Sequence, residues 1–112
     1  MVEYNQSLSK VLKASSDQTR RSILSLLIQQ GPCRVTDLAK HFEMSLNAVS
    51  KHIKILESAG LASRTTLGRV HLIEACLDEF QLIERWIAET KNIWALRLDA
   101  LEKSLDGEKE NE

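Results

Sequence analysis

Between Ser45 and Ala59 the polar side chains are spaced to act together. Asn47, Ser50, Lys51 and Lys54 fall on one side of a helix drawn at 100° per residue, while Val49, Ile53 and Leu56 fall on the other. An amide, a hydroxyl and two ammonium groups, with no carboxylate among them, make a hydrogen-bonding, cationic surface. Asn suits adenine N6/N7 and Lys suits guanine O6/N7. Leu46 either touches a thymine methyl or packs on the turn before it. Ser45, His52 and Lys54 are placed for phosphate, and His52 borders the apolar side, where a structural hydrogen bond is equally natural. Ser45, Leu46, Asn47, Ser50, Lys51, His52 and Lys54 are therefore the candidate nucleic-acid face.

Such a face needs a scaffold, and the flanking residues describe one. Val35, Leu38, Ala39 and Phe42 recur at i, i+3, i+4 and i+7, the period of one buried helical stripe. Glu43-Met44 breaks it, and the Ser45 hydroxyl can cap the next helix. Two short helices across a tight turn form a helix-turn-helix. Gly60 closes the second. Leu61–Thr65 and Val70–Glu74 read as strands around the loop Thr66–Arg69, with Arg64 and Arg69 beside its tip, aimed at phosphate or the minor groove. A basic hairpin in that place is the wing of a winged helix.

Upstream, residues 1–6 are expected to fray. Ser7–Ala14 reads as a helix with Leu8, Val11 and Leu12 on one side. Ser16 is a candidate cap for a helix over Asp17–Gln30, whose stripe is Ile23, Leu24, Leu27 and Ile28. Gly31-Pro32 stops it. Downstream, Leu77–Leu105 holds no Pro or Gly, and Phe80, Ile83, Trp86, Ile87, Ile93, Trp94, Leu98, Leu101 and Leu105 recur mostly at three and four. Roughly 28 residues make a helix of about 42 Å, longer than the preceding domain can cover, so its stripe asks for a second chain. Thr90–Asn92 is a candidate kink. Residues 106–112 read as a disordered acidic tail.

The expected architecture is one domain over residues 1–112, mainly α with a small β-hairpin, in the order α-α-α-α-β-β-α. Residues 8–76 form the DNA-binding core and 77–105 a long dimerisation helix. Net charge is −1, yet residues 8–71 carry ten Lys/Arg against four acids, a balance of +6, and residues 72–112 carry five against eleven, a balance of −6. That asymmetry points to a polyanion partner for the first part. No apolar run reaches membrane-spanning length and the N-terminus lacks a signal-peptide core, so the expected location is cytoplasmic. Cys33 and Cys76 do not make a disulfide framework. No phosphate loop, carboxylate pair or nucleophile–base set can be assembled, which argues against an enzyme. A winged helix used only for protein contacts would carry an apolar or acidic face at 45–59, unlike this one.

LKASSDQTRRSIL (12–24), VTDLAKHF (35–42), SLNAVSKHIKILESAGL (45–61) and GRVH (68–71) resemble the ArsR-type winged-helix transcription regulators, and RLDALEKSL (97–105), preceded by Trp86 and Trp94, resembles a branch without metal motifs. The resemblance implies a homodimer through the first and last helices, involving Leu8, Val11, Leu12, Phe80, Ile83, Trp86, Ile87, Trp94, Leu98 and Leu101. It also implies an inverted-repeat operator on double-stranded DNA, usually repression, and an approach of Arg20 and Arg21 to the DNA backbone. Three departures stand out. The frame of the family's Cys-x-Cys metal pair holds Arg34-Val35-Thr36. Where other members use Asp and His on the last helix, Phe80 stands two residues after Asp78 and no His follows His71. Leu46 and Glu43 stand where relatives often have a base-reading Gln and a turn Gly, the latter predicting some strain. No cofactor or metal is expected. Constitutive binding, an unidentified small-molecule or protein effector, and a thiol switch at Cys33 or Cys76 all remain open.

Overall fold

The computed structural model describes residues 2–110 and the side chains of 2–107. The order is α1 (Val2–Ser15), α2 (Gln18–Gln30), β1 (Cys33–Arg34), α3 (Val35–Ala39), α4 (Leu46–Ser58), β2 (Ala62–Leu67), β3 (Val70–Ala75) and α5 (Phe80–Glu110). The strands form one antiparallel sheet in the order β1-β3-β2. The mainly helical winged fold is as expected, with one strand more: Cys33 and Arg34 pair with Ile73 and Leu72. Two residues are too few for an alternation to show in the sequence.

Several boundaries move. Helix α1 starts at Val2, so residues 2–6 are helical. The cap of α2 is Asp17, whose carboxylate accepts from the Arg20 N–H, while the Ser16 hydroxyl donates back to Lys13 O. The hairpin loop shrinks to Gly68-Arg69, with Leu67 opposite Val70. Only Gly68 takes a positive φ there, 62°, which is the type II′ pattern for a two-residue connection. Helix α3 is a five-residue helix followed by turns, and no described non-Gly residue has a positive φ, so Glu43 imposes no strain of that kind. Helix α5 runs without interruption through Thr90–Asn92, where the Thr90 hydroxyl donates to Trp86 O at 2.7 Å. It continues to Glu110, so residues 106–110 of the supposed disordered tail are helical; residues 111 and 112 lie outside the described part. Nothing there stops it: Glu and Lys favour helix and the one Gly costs only about 1 kcal/mol.

One core joins these elements. Val11 and Ala14 of α1, Ile23, Leu24 and Leu27 of α2, Leu38 of α3, Val49, Ile53 and Leu56 of α4, Ala59, Leu61, Ala62 and Ile73 are its buried members. Val35, Ala39, Phe42, Phe80 and Ile83 pack half-buried against it. Ile28, expected in the stripe of α2, is exposed. Helix α4 ends in a Schellman motif: Gly60 N–H reaches Glu57 O at 3.0 Å and Leu61 N–H reaches Leu56 O at 2.9 Å, with Leu56 and Leu61 both buried. Gly60 has φ 77°. The cap matters because it turns the chain from α4 into the wing. No described helix is long and apolar enough to cross a membrane.

Candidate nucleic-acid interface

The site is built on α4. Ser45 caps it, its hydroxyl accepting from Ala48 N–H at 3.1 Å. That fixes the first turn, and the full burial of Val49, Ile53 and Leu56 fixes the rotation. The opposite side is left to solvent: Leu46, Asn47, Lys51 and Lys54 are exposed and Ser50 is half-buried. Glu57, one turn further on, is bound by Arg64 at 2.8 Å.

The predicted cations do not all serve one surface. Arg20 is buried, and this corrects its assignment to the DNA backbone. Its Nε donates to Ala14 O at 2.8 Å and its Nη2 to Lys13 O at 3.0 Å, closing the C-terminus of α1, while Nη1 lies 3.3 Å from His52 Nδ1. A guanidinium has only donors, so this contact is a hydrogen bond in the tautomer that leaves Nδ1 free to accept. His52 is accordingly half-buried and engaged in the structural hydrogen bond that was its other reading. Arg64 is engaged within the chain as well. It sits opposite Ile73 in mid-strand, three residues before the turn, and its Nη2 bonds Glu57 Oε1 at 2.8 Å. It braces the wing against α4 rather than extending the tip. Arg69 is exposed in the turn itself, and Arg21 is exposed with Nη1 donating to Ser15 O at 2.8 Å.

The sequence reading passed over Arg34. Strand β1 brings it beside the wing, where Arg34, Thr36, Arg69 and His71 help line a notch of about 200 Å³. Its charge was visible, but its neighbours depend on the unforeseen β1–β3 pairing.

Asp17 Oδ2 accepts from Arg20 N–H at 3.0 Å and lies 3.9 Å from His52 Nδ1. The Arg20 N–H chiefly, with the charges of Arg20 and His52 adding and some desolvation opposing, holds the carboxyl below its ordinary 3.8. A lowered carboxyl contributes stability that is complete above the unfolded value and is lost as pH falls through the folded one. Asp17→Asn keeps a capping oxygen but loses the charge, so it is expected to melt slightly below the parent at neutral pH and to converge on it below pH 3.8, which thermal melts across a pH series will check.

On the other side of the molecule, the predicted interface residues divide. Leu8 and Val11 are 7% and 0% exposed, consumed by the protomer's own core, so Val11 has no surface left for a second chain. Phe80 and Ile83 are half-buried. Leu12, Trp86, Ile87, Trp94, Leu98 and Leu101 remain exposed. At the α1–α5 contact Arg85 stacks on Tyr4, 4.4 Å from the ring centre.

The family model for "Bacterial regulatory protein, arsR family" matches residues 17–64, from the cap of α2 to Arg64. The transcriptional repressor SdpR of Bacillus subtilis (strain 168) is 43% identical over 56 residues, 50% of this chain and 61% of that protein. The chain spans 53 to 65% of the length of the curated relatives it matches. A solution structure of the homodimeric winged helix-turn-helix DNA-binding domain of a possible ArsR-family regulator from Mycobacterium bovis shares the fold, with a TM-score of 0.65 at 22% identity over 82% of this chain and 86% of that one. A crystal structure of an ArsR family transcriptional regulator superposes at a TM-score of 0.75 with 35% identity, over 81% of this chain and 93% of that one. With a family match across the helix-turn-helix and that identity over nearly all of a solved relative, this chain belongs to the ArsR family of bacterial regulatory proteins.

Proposed function

We propose that the protein is a cytoplasmic, homodimeric repressor of transcription that binds an inverted-repeat operator and has no catalytic role. The observation that carries this reading is α4: one side fully buried, the other an exposed amide-and-ammonium face without a carboxylate. Two such helices would enter successive major grooves about 34–36 Å apart. Leu46, Asn47, Ser50 and Lys51 would meet base edges, and Lys54, Arg69 and Arg21 phosphate, with Arg34 added by its place in the wing notch. The exposed apolar residues of α1 and α5 would join the two copies, an assembly supported by the homodimeric relative.

A family-type metal site is not part of this proposal. Arg34 and Thr36 cannot supply thiolates, and Cys33 Sγ is turned to Gly31 O at 3.4 Å and Gln30 Oε1 at 3.7 Å. Among the described residues no three His, Cys, Asp or Glu side chains converge, whereas Zn²⁺ needs three or four ligands at about 2.0–2.3 Å. Redox sensing has less support, since Cys33 and Cys76 are both half-buried.

Selection of bound genomic fragments, then sequencing, tests the reading directly; recovery of a two-half-site motif is expected, and random recovery would remove it. On that operator Asn47→Ala should cost about 1–3 kcal/mol and relax preference at one base pair. Arg69→Ala should weaken all duplexes alike and reduce the salt slope by about 1. Titrations at several salt concentrations separate the two behaviours.

A further inference from the structure

We infer that the groove between α1 and α4 is a binding site for a small carboxylate with an apolar body. It encloses about 290 Å³ and is lined by Lys10, Lys13, Lys54, Ile55, Ser58 and Ala59. Ile55 is 38% exposed on α4, outside both the core stripe and the face assigned to nucleic acid, and beside Ala59, which belongs to the core, it completes an apolar floor. Three lysines rim that floor. Each is exposed, and among the described residues none of the three forms an ion pair. Lysine stems extend an apolar surface while their ammonium heads stay at the rim, and no carboxylate lines the groove to neutralise them. Charge at the rim over an apolar floor is complementary to an anion carrying a hydrocarbon body. The volume lies just under the range of about 300–1,000 Å³ usual for drug-sized ligands, which fits one ring or a short chain.

Lys54 belongs to this rim and also to the phosphate contacts of the proposed function. Resting on that reading, occupancy draws Lys54 from the DNA backbone, so ligand and operator compete without overlapping at the base edges.

Benzoate is the probe. Added to the full chain without DNA, it should shift the amide signals of Lys10, Lys13, Ile55, Ser58 and Ala59 saturably in nitrogen-edited NMR spectra. Benzamide, with the same ring and no charge, and acetate, with the charge and no ring, should each bind about tenfold more weakly. Lys10→Ala with Lys13→Ala should weaken benzoate similarly while leaving duplex affinity unchanged. Saturating benzoate should lower operator affinity and reduce the salt slope by about 1. Equal binding of benzamide or acetate, or shifts confined to Trp86 and Trp94 of α5, would overturn the site. Groove shifts with unaltered operator affinity would overturn the competition through Lys54. A groove that titrates in a chain indifferent to every duplex would remove the proposed function and leave the site standing.

Discussion

Trp94→Asp is expected to yield a folded monomer whose affinity for a two-half-site duplex falls by on the order of 10²-fold or more. Trp94 is 65% exposed in the part of α5 that outruns the globular core. Ile87, Leu98, Leu101 and Leu105 share its side of the helix and are also exposed. An indole buries about 150–250 Å² when covered, and at roughly 25 cal/mol per Å² each copy contributes about 2–4 kcal/mol for the part now facing water. Aspartate removes that gain and would bury a charge at the seam. The protomer's own core does not include Trp94, so the melt should remain cooperative. With one half-site engaged at a time, the linked second contact disappears, and such linkage is worth about 10²–10⁴-fold. Sedimentation equilibrium at micromolar concentration, paired with an operator titration, reads both effects. An intact dimer would show that α5 does not hold the copies together.

Arg20→Met should lower stability by about 3 kcal/mol, a fall in melting temperature on the order of 10 °C at fixed protein concentration. Methionine keeps much of the aliphatic stem but leaves Lys13 O and Ala14 O without their donor and His52 Nδ1 without its neighbour. Hydrogen bonds from a charged donor are worth about 1.5–3 kcal/mol each, less what water recovers at the helix end. Arg20→Lys should recover only part, because an ammonium cannot span two successive carbonyls as the guanidinium fork does. Arg21→Met, one residue on and exposed, should stay within about 0.5 kcal/mol of the parent. Equal losses at 20 and 21 would remove the distinction between brace and surface cation. Arg20 also ties α1 to α4 through His52, so the variant should loosen the reading helix before the chain unfolds; hydrogen exchange on the amides of α4 will register that.

Arg20 and Arg21 show where sequence reasoning stops. Both are cations in the first turns of one helix, and composition cannot separate them. The difference is rotation: position 20 turns toward the buried side with Ile23, Leu24 and Leu27, and position 21 turns away. The i, i+3 relation of Asp17 to Arg20 is a readable cap signature, whereas the reach of Arg20 back to Lys13 and Ala14 depends on how α1 closes on α2. Arg64 is similar, since its partner Glu57 becomes a neighbour only after the chain reverses at Gly60. By contrast, Ser45, Val49, Ile53 and Leu56 express a cap and a helical period within one segment, and the structure keeps them as read. The fold was legible wherever local period and capping chemistry agreed. Strand β1, two residues whose pairing is entirely long-range, was not.

The long reach of α5 has a practical corollary in solution. The molecule measures 77 × 30 × 21 Å with a radius of gyration of 21.0 Å, against about 13 Å for a compact chain of this length. Such a rod drags more solvent than its mass implies and leaves a sizing column early. A lone copy would therefore masquerade as two by elution volume, and stoichiometry must come from methods indifferent to friction, such as light scattering.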